Sequence, residues 1–174
     1  SNIPNHCYLL NHYTLIMYPS KILLFGEYTI FLNSHALAIP YGRFKGDWAF
    51  MEGVNDINSS VGYNSNQSFK DFLAYLKLGV KKLSLDFHLD INRFEEDLSN
   101  GIYFKSDVPA GSGLGSSGAL VAAIFDRYVK DYLHYNDIFR LKKSLALLES
   151  FYHGTSSGID PLVSYLNLPV FIKG

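Results

Sequence analysis

Glycines stand at positions 111, 113 and 115, and a long run with helical apolar spacing follows at once. This constrains the fold more than any other feature of the chain. The missing side chains let the backbone turn sharply and approach a ligand closely. The first amide groups of a helix have no partner within it, and together with the helix dipole they suit an anion. Pro109 opens the loop, Ser112 and Leu114 separate its glycines, and Ser116 and Ser117 close it with hydroxyls suited to phosphate oxygens or a hydrated Mg²⁺. Neither common nucleotide motif is met. There is no Gly-Lys-Ser/Thr ending, so the P-loop mechanism does not apply. Gly113, Gly115 and Gly118 match the dinucleotide spacing formally, but the acidic residue in range, Asp131, falls in a helical pattern.

Before the loop the chain reads mostly as β structure. Residues 21–25 form a short apolar run closed by Gly26, a buried strand. Residues 28–32 continue as a β segment or a turn. Residues 36–41 lead into another strand, and 43–51 pair as a hairpin strand. Residues 52–68 are rich in Gly, Asn and Ser and predict a surface loop. Phe69, Phe72, Leu73 and Leu76 have the 3–4 spacing of an amphipathic helix over 69–79. Residues 83–91 alternate as a strand, with 101–105 as its partner.

Helices dominate after the loop. Residues 117–133 predict a helix with Ala119, Leu120, Ala123, Ile124, Tyr128 and Val129 on one face. Residues 137–152 predict a second, with Asn136 as N-cap and a stripe of Ile138, Leu141, Leu145, Leu148 and Phe151. A third starts at Pro161 with Asp160 in the N-cap position, and 170–172 form a last strand. With β segments first and helices later, the expectation is one α+β domain.

Two further motifs carry chemistry. His153 opens a polar turn through Ser157 that ends in Asp160, with Glu149 eleven positions before that carboxylate. Phosphoryl transfer to an alcohol needs a carboxylate near the acceptor hydroxyl and an oxygen ligand for Mg²⁺. Asp160 and Glu149 are the candidates. Lys21 opens the first strand and precedes Glu27 by six positions. A cation there could offset charge on a transferred phosphoryl group.

Composition excludes other classes. The net charge of −1 offers no electrostatic footprint for nucleic acid. Cys7 is the only cysteine, so no disulfide framework forms within the chain, which fits a reducing cytoplasm. No two of the six histidines have a zinc spacing. No apolar run reaches the roughly 18 residues of a membrane span. Residues 1–19 read as a leader of doubtful order, without the basic start of a signal peptide, and Met17 is the expected natural start.

The loop from Pro109 to Ser117, the stretch from Lys21 to Glu27 and the stretch from Glu149 to Asp160 together resemble the GHMP kinase family, its mevalonate kinase branch in particular. The resemblance runs from about residue 20 to the end. It implies the family's N-terminal ATP-binding domain over 20–174, of the ribosomal protein S5 domain 2-like fold, a mixed sheet with helices on one side. It implies ATP and Mg²⁺ as cofactors and a small alcohol as acceptor. Asp160 would be the general base and Lys21 its neighbour that stabilises transferred charge. Pro109, Gly111, Ser112, Gly113, Leu114, Gly115, Ser116 and Ser117 would wrap the phosphates. Ser117 and Glu149 would hold Mg²⁺. Glu27, Tyr28, His153 and Ser157 would face the acceptor. A sugar or amino-alcohol acceptor stays open, because Tyr28 stands where mevalonate kinases usually carry histidine. So does a catalytically inactive nucleotide-binding half, because family members have a second domain and this chain stops at Gly174. A homodimer is also left open. The family's usual alanine after the two serines is Gly118 here, which is expected to weaken the helix start slightly.

Overall fold

A computed structural model of the chain describes residues 17–26, 35–51, 59–79, 87–109, 112–132 and 136–173. The leader through residue 16, the segment 28–32, the predicted strand through residue 86, and Gly111, Glu27 and Tyr28 lie outside the described residues.

Strand β1 (Tyr18–Phe25) pairs antiparallel with the long β2 (Ala36–Phe50). The two β segments expected at 36–41 and 43–51 are one strand, with a register shift opposite Pro19 and Ser20. The far end of β2 pairs with β4 (Ile102–Ser106), and its near end with β6 (Val170–Ile172). Every described pairing in this four-stranded sheet is antiparallel, where a mixed sheet was expected. Gly46 of β2 lets the Phe104 ring lie against the strand, since a Cβ there would meet that ring at 2.2 Å.

The partner expected for residues 101–105 was the alternating run 83–91, but its described part forms only β3 (His88–Leu89). That strand pairs with β5 (Val129–Lys130), which takes Val129 out of the helix predicted through 133. Ile91 begins α2 (Ile91–Ser99), a helix that the strand reading missed. Asp90 caps it by accepting from the Arg93 amide at 3.3 Å.

Helix α1 (Ser59–Gly79) starts ten residues before its predicted position, inside the polar stretch read as a loop. Tertiary contacts override the weak local propensity there. The buried Asn66 amide donates to the carbonyls of Ile102 at 2.8 Å and Leu98 at 3.2 Å, and Ser65 Oγ accepts from the Phe104 amide at 3.3 Å.

Helix α3 (Ser116–Tyr128) runs through the middle of the core. Ala119, Val121, Ala122, Ala123, Ile124 and Phe125 are all buried, so it is apolar on more than the one predicted face. Phe94 stacks on Tyr128 at 4.3 Å, and Trp48 meets Phe69, Phe104 and Tyr128 edge-on or tilted. Asp97 accepts from the Tyr128 hydroxyl at 2.9 Å and from Arg127 Nε at 2.8 Å, which compensates its burial.

Helix α4 (Ile138–His153) is capped by Asp137, not Asn136, through the amides of Phe139 and Arg140. Its buried stripe is Leu141, Leu145 and Leu148, while Ile138 is exposed. Helix α5 (Ile159–Leu166) packs on α3 and on β1. Its cap is Gly158, so Asp160 lies inside the first turn, where its charge also suits the helix dipole. Among the described residues no helix is long and apolar enough to cross a membrane.

Candidate active site

Two helix starts meet at one place. Gly115, in the left-handed region at φ 76°, begins α3, and Gly158, at φ 73°, begins α5. Neither start has a side-chain cap. At α3 the first-turn amides left in this way present a positive edge, whereas at α5 the Ile159 amide is taken by Ser157 Oγ and Pro161 has no N–H. The backbone of β1 ties in the glycine loop, because the Lys21 amide donates to the Leu114 carbonyl at 2.8 Å.

Lys21 and Asp160 form an ion pair at 3.1 Å where the two starts converge, with Lys21 only 13% exposed. Gly115 closes the other side. A Cβ at that position would stand 2.8 Å from Lys21 Cγ and 3.3 Å from Asp160 Oδ2. Gly118 lets the helices touch, since its Cβ would meet the Asp160 carbonyl carbon at 2.7 Å and Pro161 N at 2.9 Å. The glycine expected to be a slight weakness is thus a packing requirement.

The second cluster centres on Glu149, which is 4% exposed on α4. Ser117 Oγ donates to Glu149 Oε1 at 3.2 Å, and Ser156 Oγ donates to Glu149 Oε2. His153 Nε2 lies 2.8 Å from Ser117 Oγ. The structure therefore brings together Lys21, Gly115, Ser117, Glu149, His153 and Asp160, which come from four elements. Ser112 instead donates to the Pro109 carbonyl at 2.7 Å and braces the loop. Ser116 and Ser157 are exposed, and Ser157 Oγ accepts from the Ile159 amide at 3.3 Å. The sequence reading passed over Ser156. The same polar turn carries three adjacent hydroxyls, Thr155, Ser156 and Ser157, and nothing local shows which of them faces Glu149.

Burial pushes the Glu149 carboxyl above the usual glutamate range. The Ser156 hydrogen bond opposes this, and the Asp160 charge adds to it. A carboxyl whose pKa rises on folding holds its proton more tightly in the native state. The stabilisation it contributes is present at low pH and is lost as pH climbs through the raised value. Glu149→Gln is therefore expected to be more stable than the parent protein at neutral pH and to lose that advantage in acid. Urea unfolding from about pH 4 to about pH 8 checks this. A stability difference that does not change with pH would contradict it.

Among the described residues no group of three or more His, Cys, Asp or Glu side chains is placed to hold a metal alone. One hydroxyl and one carboxylate, Ser117 and Glu149, do fit Mg²⁺, which takes few protein ligands and completes its shell with phosphates and water. The loop fits a polyphosphate as well. Gly113 has φ 73° and open space where a Cβ would stand, so backbone there can be approached closely.

A family model described as GHMP kinases N terminal domain matches residues 75–167, more than half of the chain. A mevalonate kinase of Archaeoglobus fulgidus is 30% identical over 157 residues, which cover 84% of this chain and 48% of that protein. A mevalonate kinase of Pyrococcus horikoshii is 24% identical over 173 residues, covering 87% and 49%. A solved structure described as mevalonate kinase is similar in fold, with a TM-score of 0.52 at 18% identity over 91% of this chain and 53% of that one. The chain spans about half the length of the curated relatives it matches.

Proposed function

For a chain that belongs to the GHMP kinase N-terminal domain family, we propose ATP-dependent transfer of the γ-phosphoryl group to a small alcohol, mevalonate or a related acceptor. One observation carries the reading. The Lys21–Asp160 pair sits against Gly115, at the uncapped start of the helix that also bears Ser117. A carboxylate, a cation and a helix start without a side-chain cap are thus in contact. On this reading residues 20–174 are the ATP-binding half of the enzyme.

On this reading each residue has a role. The backbone of 112–117 and the first turn of α3 bind the phosphates of ATP. Asp160 accepts the proton of the acceptor hydroxyl as that oxygen bonds to the γ-phosphorus and the bond to the ADP oxygen breaks. Lys21 holds Asp160 in place and offsets negative charge on the phosphoryl group. Ser117 and Glu149 hold Mg²⁺, whose chemistry when bound is to neutralise phosphate charge. His153 keeps the Ser117 hydroxyl oriented.

A coupled ADP-release assay over a panel of alcohols tests the proposal. Turnover is expected with mevalonate. Turnover of a sugar alone would overturn the acceptor but keep the kinase. Nucleotide binding without turnover of any alcohol would favour a nucleotide-binding half that needs more protein to act.

A further inference from the structure

Ser156 has no part in the roles above, yet it links their two clusters by a route separate from the one through Gly115 and Ser117 on α3. Its hydroxyl has one proton and two lone pairs. The Gly158 amide donates to Ser156 Oγ at 2.9 Å and so occupies a lone pair. The proton goes to Glu149 Oε2. One hydroxyl therefore joins the buried carboxylate of α4 to the turn that starts α5, two residues before Asp160.

That turn is not free to adjust. Gly158 is wedged against α4, where a Cβ would meet the Lys142 carbonyl oxygen at 2.4 Å and the Ala146 side chain at 2.9 Å. Its φ of 73° is strained for any other residue. Ser156 is thus anchored from the backbone side, and its donor direction follows from the anchor.

The two hydroxyls on Glu149 are not equivalent. Ser117 is shared between Glu149 Oε1 and His153. It is also the hydroxyl assigned to Mg²⁺, so a cation there competes for its oxygen. Ser156 Oγ bonds Oε2 and the Gly158 amide of its own turn. It can hold the carboxylate whether or not Ser117 is engaged elsewhere.

We propose that Ser156 is the positioning residue for Glu149, aligning its carboxylate for Mg²⁺ and tying that alignment to the turn that carries Asp160. The inference rests on the kinase reading. Groups that orient a metal ligand in this way change metal affinity by about 10–100-fold when removed.

The test is calorimetric titration of ATP into the protein, with Mg²⁺ and then with EDTA. In Ser156→Ala the Mg²⁺-dependent gain in ATP affinity is expected to fall by about tenfold, with affinity in EDTA unchanged. Ser156→Thr, which keeps the hydroxyl, is expected to restore most of the gain. Should the alanine variant not fold, Ser156→Cys, near in size but a weak donor, carries the same expectation. A gain within twofold of the parent protein in the alanine variant would overturn the role. Equal losses with Mg²⁺ and with EDTA would also overturn it, since they would mark a merely structural residue. If the parent protein itself shows no Mg²⁺-dependent binding, the kinase reading fails first, and this inference fails with it.

Discussion

Replacing Asp160 with asparagine is expected to lower phosphoryl transfer by about a thousandfold, within the range for losing a general base. ATP affinity is expected to stay close to that of the parent protein. Asparagine keeps the shape of the side chain and so keeps the close packing of α5 on Gly118. It loses the charge that pairs with Lys21 at 3.1 Å and that, on the proposed reading, accepts the proton. The phosphates, on the proposed reading, rest on backbone amides of the loop and the first turn of α3, none of which the substitution removes. Single-turnover ADP release and nucleotide titration on the same sample separate the two effects. Near-normal transfer in the variant would remove Asp160 from the mechanism. Equal losses of binding and transfer would make it a phosphate-site residue instead.

The second large effect is one where local propensity and tertiary packing predict opposite signs. Gly118 lies in the first turn of α3, and alanine is the better helix former by about 1 kcal/mol. Propensity alone therefore expects Gly118→Ala to stabilise the protein. In the structure, the new Cβ would meet the Asp160 carbonyl carbon at 2.7 Å, the Asp160 Cβ at 2.8 Å and Pro161 N at 2.9 Å. Two of those three atoms are backbone, so no side-chain rotation relieves the clash. Helix α5 must withdraw from α3. Overpacking of this kind costs about 1–3 kcal/mol, so net destabilisation is expected. The withdrawal also carries Asp160 away from Gly115 and Lys21, so turnover should fall with stability. Urea unfolding measures the first effect and ADP release the second. A stabilised, fully active variant would mean that the two helix starts are not in contact.

Much of the site was legible because its residues meet local demands. A loop that must bend at Gly113 and Gly115 needs positive φ, and glycine provides it at both positions. Lys21, Glu149 and Asp160 are the cation and the two carboxylates that the chemistry of a phosphate site asks for. The structure brings these three to one place. The choice between Ser156 and Ser157 was not legible. Both hydroxyls follow the same turn, and only the path of the chain around Gly158 decides which one reaches Glu149.

The fold shows the same division. The apolar runs at 21–25 and 170–172 became strands, and the 3–4 spacing after the loop became helices. The start of α1 was hidden by its own polarity. Asn66 and Ser65 look like loop residues until Leu98, Ile102 and Phe104 supply partners for them. The alternation through Ile91 suggested a long strand, but Asp90 caps a helix there and Phe94 is drawn into the aromatic core.

By itself, then, the sequence determined the α+β class, the glycine loop at a helix start and the residue types that phosphate chemistry would need around it. These follow from backbone torsions and burial patterns, which neighbouring residues encode. Only the tertiary structure decided that the start of α5 lies against that of α3, that Gly118 is there to permit it, and that Ser156 joins Ser117 on Glu149. Those facts depend on contacts between segments far apart in the chain. Such contacts are set by how whole elements pack, which no local pattern of residues contains.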